Sequence, residues 1–257
     1  MSEIDDSKMP LLDHLIELRR RLLWSVLALA VAFGISIYFA RPIFGFLVQP
    51  LLASGQSKLI YTAIFEAFFV EIKVAFFAAS FVSFPVFATQ LWKFVAPGLY
   101  TKEKRAFLPF LLATPVLFTA GAAMAYYMAI PIALKYLLGF GGDVGGVQQE
   151  ALPGVDNYLN FVMKFIFGFG ISFLLPVLLM LLEKAGIVSL QQLKGARRYA
   201  IVGSFAVAAV LTPPDVVSQL LLAIPLCILY ELALIAIWFT QRGQKKVASE
   251  TETTVSS

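Results

Sequence analysis

Acidic side chains set among arginines are the groups in this chain whose types and spacing could do chemistry. Glu17 lies in "LLDHLIELRRR", three residues before Arg20 and four before Arg21. A carboxylate there can pair with either arginine one helical turn on, an exposed interaction of about 0.3–0.5 kcal/mol. It can instead accept an arginine from another molecule as a charge-assisted, bidentate bond. Glu103, in "FVAPGLYTKEKRAFLPF", raises the same choice. Thr101 is a good N-cap and an acid at the second helical position suits the helix dipole, yet Glu103 is the sole acid of its loop. Two isolated acids among bases would make one receptor for a doubly cationic ligand, provided that the fold brings them together. Glu231, in "CILYELALIAIW", is the only carboxylate well inside an apolar run. It is either a protonated acid hydrogen-bonded to a neighbouring helix or a functional group, since charge inside a membrane is costly.

The other polar residues have plainer readings. Asp215, after two prolines, complements the start of a helix. Gln90, Thr212 and Gln219 are uncharged groups of the kind that join helices. Lys135 and Lys164 lie where side chains snorkel to the interface. The single histidine, His14, and the single cysteine, Cys227, furnish neither a metal site nor a nucleophile with its base. No catalytic residues, metal, cofactor or enzyme activity are expected.

The elements that must position these residues are apolar. Hydrophobic residues make up 60% of the 257 and charged ones only 14%, which places the chain among polytopic membrane proteins. Apolar runs bounded by charge or turn signals predict six spans, at 22–40, 74–92, 106–134, 165–182, 199–211 and 220–239. The first is about 28 Å long as a helix, too long for the core of a cleavable signal. Span five measures about 20 Å, well short of a bilayer. Prolines 85, 109, 115, 131, 176 and 225 fall within spans two, three, four and six, which predicts a curved bundle.

An even number of spans puts both termini on one side. If that side is the cytoplasm, only Arg41, Lys58, Lys73, Lys135 and Lys164 of the 20 basic residues lie outside. The positive-inside rule then fixes the orientation, and the formal charge of +4 is topological, which argues against nucleic acid. Leu11, Leu15, Leu18 and Leu22 recur at helical spacing, predicting an amphipathic surface helix ahead of span one. The glycine-rich stretch after Gly139 reads as an outer loop, and residues 244–257 as a disordered cytoplasmic tail after a single domain of residues 1–243.

Four stretches, "HLIELRRRLL", "FVAPGLYTKEKR", "MAYYMAIPIAL" and "LTPPDVVSQLLLAIP", resemble the TatC family, the six-span core of the twin-arginine protein translocase. The resemblance runs from Pro10 to Gly243. It implies an all-α protein of the bacterial inner membrane that binds twin-arginine signal peptides and exports folded proteins on the proton-motive force. TatA- and TatB-type single-span proteins, other copies of the chain and the lipid bilayer are its implied partners. Family receptor acids map onto Glu17 and Glu103, with Phe94 and Leu99 beside them. Pro50 matches a functional outer-loop position, Thr212 and Gln219 match positions where a partner helix docks, and Glu231 matches an intramembrane acid. Two positions depart from the pattern. Leu174 of "SFLLP" stands where many relatives carry Glu or Gln, and Ala209 where methionine is frequent. A small-molecule transporter or channel is the alternative function, but it predicts converging mid-membrane charges and an internal repeat, and neither is seen.

Overall fold

The computed structural model describes residues 8–99, 104–149 and 151–255. It is helical apart from one short hairpin. In chain order the elements are α1 (Lys8–Tyr38), α2 (Ala40–Ala53), α3 (Glu66–Leu99), α4 (Lys104–Met124), a π turn (Ala125–Ala129), α5 (Ile130–Leu138), β1 (Gly142–Val144) and β2 (Val147–Gln149). They continue with α6 (Val155–Ser172), α7 (Leu175–Lys184), α8 (Leu190–Gly195), α9 (Arg197–Leu211) and α10 (Val216–Val255). Five helical segments among the described residues are long and apolar enough to cross a membrane: 15–38, 66–94, 110–138, 155–184 and 216–242. Helix α2 is a shorter apolar helix, and α9, at the position of the expected fifth span, has 15 residues, about 22 Å.

Several expectations need correcting. The amphipathic segment and span one form a single uninterrupted helix, because residues 11–33 contain neither glycine nor proline and charge does not break a helix. The connection after Tyr38 holds α2, in which Leu47, Pro50 and Leu51 are buried. The glycine-rich loop contains the hairpin, with Val144 opposite Val147. Gly145 and Gly146 make its turn at φ 64° and 85°, a left-handed pair that matches the twist of the strands.

Two of the prolines stand at irregularities in the helices. Pro131 has no N–H to donate, and just before it Ile130 N–H reaches back five residues to the Ala125 carbonyl, which makes the π turn. Pro176 stands at the start of α7, after a break in which Leu174 N–H bonds Ile171 O at 3.0 Å.

The chain divides into two compact units, residues 1–116 with 141–163, and 117–140 with 164–257. The first has a core of Leu47, Leu51, Val70, Val74, Val155 and Leu159. Tyr158 Oη donates to Leu47 O at 2.9 Å, and Trp92 Nε1 donates to Thr114 Oγ1 at 3.0 Å. The second is built on Phe118, Phe165 and Phe169, with another cluster of Leu179, Leu193, Tyr230, Leu234 and Ile237.

Candidate functional site

Helical spacing puts Glu17, Arg21 and Trp24 on one stripe of α1, with Arg20 beside them, and α3 presents Gln90 and Lys93 one turn apart. These six residues line a cavity of about 440 Å³ in the first unit. An apolar groove of about 100 Å³ adjoins it, lined by Leu18, Leu22, Phe87, Leu91 and Phe94. Arg21 and Gln90 line both spaces. A ligand with cationic and apolar side chains a few residues apart would find both surfaces within reach.

Glu17 is paired within its own helix. Arg21 donates through Nε at 3.1 Å and also through Nη2, and both donors fall on Oε1. Oε2 accepts no hydrogen bond from the described residues. The arginine side chain is 20% exposed and the glutamate 34%, so the pair is screened from solvent on one side only. Arg20 and Lys93 bring further positive charge and have no carboxylate partner among the described residues. The described lining therefore carries three cations and one anion.

A family model described as Sec-independent protein translocase protein (TatC) matches residues 13–225. The chain belongs to the TatC family. It is 48% identical over 249 residues to the TatC protein of Magnetococcus marinus, covering 96% of this chain and 89% of that one. To the Aquifex aeolicus TatC protein it is 41% identical over 242 residues, covering 93% and 99%. A crystal structure of a twin-arginine translocase receptor TatC matches with a TM-score of 0.79 at 40% identity, over 89% of this chain and 99% of that one. This TatC chain is thus a multi-pass membrane component of a Sec-independent protein translocase.

Of the residues that the TatC resemblance singles out, Glu17 and Phe94 fall on the cavity and its adjoining groove. Leu99 is the last residue of α3, its side chain outside what is described, and Glu103 lies outside the described residues. Arg20, Trp24, Gln90 and Lys93 join the site without having been singled out for it. Spacing from Glu17 alone would have found Arg20 and Trp24; Gln90 and Lys93 needed the pairing of α1 with α3.

The remaining TatC positions lie elsewhere. Pro50 is buried in α2. Thr212 ends α9, its hydroxyl donating to Ala208 O at 2.9 Å. Gln219 Nε2 donates to Phe205 O at 3.3 Å, so both side chains serve the α9–α10 turn. Asp215 is the N-cap of α10, its Oδ1 accepting from Ser218 N–H at 2.7 Å, as its place after two prolines predicted. Leu174 lies at the break before α7, and Ala209 is exposed on α9.

Glu231, read from the sequence as either a protonated acid or a functional group, has a basic partner on another helix. Arg197 at the start of α9 reaches it as a two-pronged ion pair, Nη2 to Oε2 and Nε to Oε1, each 2.9 Å. Sequence counted Arg197 only among the inner-side basic residues, because its partner is 34 residues away. The side chains are 51% and 47% exposed, which discounts the pair's strength. Arg197→Gln and Glu231→Gln should each lower stability by about 1 kcal/mol, and the double variant should lose less than their sum. Thermal unfolding in detergent measures this; strictly additive losses would mean that the pair contributes nothing.

Proposed function

We propose that this chain is the receptor subunit of its translocase. It takes the paired arginines of a signal peptide into the α1–α3 cavity and starts the export of folded cargo from the cytoplasm, driven by the proton gradient. The observation that supports this reading is a glutamate in a 440 Å³ cavity with one carboxylate oxygen unoccupied by the described residues. A planar guanidinium can grip such a group bidentately, and lysine, a single point of charge, cannot. Three cations already line the cavity, so a dicationic ligand needs a second acid, the role assigned to Glu103 with Leu99 beside it. The protein works in the bacterial inner membrane with both termini cytoplasmic, alongside TatA- and TatB-type subunits. Thr212 and Gln219 meet a partner helix at the α9–α10 turn, and Pro50 and Glu231 serve the same complex.

Binding of a labelled signal peptide carrying Arg-Arg or Lys-Lys to this protein in membranes tests the proposal. The Arg-Arg peptide should bind about tenfold more tightly, and Glu17→Ala or Glu103→Ala should each erase that preference. Equal binding of both peptides, or no effect of either substitution, would reduce the two acids to a helix pair and a cap.

A further inference from the structure

The carboxylate proposed to receive a foreign guanidinium already holds one. We infer that Arg21 is a resident competitor for Glu17, an internal mimic of the ligand that sets how tightly a twin-arginine peptide binds. The inference rests on the receptor reading of Glu17.

Three features of the cavity carry it. Of the cations that line it, Arg21 alone is bonded to Glu17, and it places two donors on the same oxygen. Acid first and base four residues on is the favourable order for a helical pair, so the latch is built into α1 and persists in the unliganded protein. Arg21 also stands where the cavity meets the apolar groove, and a guanidinium that leaves Glu17 vacates part of both linings.

The arrangement provides a route for exchange. Oε2 is open to a first donor from the incoming arginine while Arg21 still holds Oε1. A bidentate grip on both oxygens then requires Arg21 to let go and turn to solvent, where its charge is hydrated. Only the unlatched fraction of the receptor is fully competent, so the measured affinity is the intrinsic one scaled by that fraction. The third arginine of the run thereby lowers the affinity of any ligand that must grip both oxygens of Glu17.

The test measures the dissociation constant of a labelled Arg-Arg signal peptide for full-length protein in membranes. Wild type is compared with Arg21→Gln, Arg21→Lys, Arg20→Gln and Glu17→Ala. Arg21→Gln should tighten binding by about two- to fivefold, the scale of a partly exposed helical ion pair. Arg21→Lys preserves charge and helix propensity, folds even if the glutamine variant does not, and should tighten binding to a smaller degree. Arg20→Gln removes the same charge without touching the latch and should change affinity less than Arg21→Gln does. An equal gain from Arg20→Gln would overturn the latch in favour of general repulsion, as would unchanged or weaker binding in both Arg21 variants while Glu17→Ala still abolishes binding. If Glu17→Ala binds like wild type, the receptor reading itself fails and takes the latch with it, a result separate from the other two.

Discussion

Replacing Glu66 with alanine is expected to destabilise the protein more than any other single side-chain deletion considered for the first unit. Glu66 is buried, 8% exposed, and both of its carboxylate oxygens accept hydrogen bonds. Oε2 accepts from Thr62 N–H at 2.5 Å, Thr62 Oγ1 at 2.8 Å and Ala63 N–H at 3.1 Å. Oε1 accepts from Asp156 N–H at 2.9 Å, in the first turn of α6. One side chain therefore satisfies three backbone donors and ties the segment ahead of α3 to Asp156 of α6, 90 residues after Glu66. The isolated bridge between Ile60 and Gly154, and the Lys73–Asp156 ion pair, lie on the same junction. Bonds to a charged acceptor are stronger than neutral ones but do not add, and an alanine leaves three N–H groups searching for water. Glutamine is no remedy, because its amide turns a donor toward one of the two sets of donors. Thermal unfolding in detergent should show the loss for both variants, alanine the greater. Hydrogen exchange at Thr62, Ala63 and Asp156 should speed up together. Faster exchange at Thr62 and Ala63 with Asp156 unchanged would mean that Glu66 only caps its own helix.

Glu66 also shows where reading the sequence stops. The membrane class, the long uncharged runs and the short α9 were legible because each depends on residues adjacent in the chain. So was the Glu17–Arg21 pair, one helical turn apart. The cavity was only half legible: one wall follows from the period of α1, the other depends on which residues of α3 face it, and that is decided by packing. The same distance hid the partners of Glu66 and the Arg197–Glu231 pair. Hydropathy also misled in a specific way at α1, where the arginines end the apolar run but leave the helix intact. In the connection after it, burial of Leu47 and Leu51 holds α2 in place, and no span was read there.

Gly121 of α4 is the second position where a small change should have a large effect, here by adding atoms. A Cβ on it would sit 2.5 Å from the Phe169 carbonyl oxygen and 2.8 Å from Cγ of Phe173, distances that real side chains do not tolerate. The obstacle at 2.5 Å is backbone of α6, so no rotamer change relieves it. The reciprocal contact repeats the device, since a Cβ on Gly170 would meet the buried ring of Phe118 at 2.7 Å. Helices in a membrane gain little from burying apolar surface against one another, because lipid is as apolar as they are, and close approach through small residues is what holds them. Gly121→Ala should therefore cost about 2 kcal/mol and Gly121→Val more, as overpacking forces α4 from α6. Gly170→Ala should cost less, since the edge of a ring can give where a carbonyl cannot. Gly34 of α1 supplies the control: nothing lies within 4 Å of an added Cβ, so Gly34→Ala should be neutral or stabilise by up to about 1 kcal/mol. Melting of the four variants in one detergent separates the effects. Equal melting of Gly121→Ala and Gly34→Ala would mean that α4 and α6 part without cost and that this contact does not hold the second unit together. The ordered series, with valine lowest and the Gly34 variant at or above wild type, would locate a main source of its stability where two helices touch through a missing side chain.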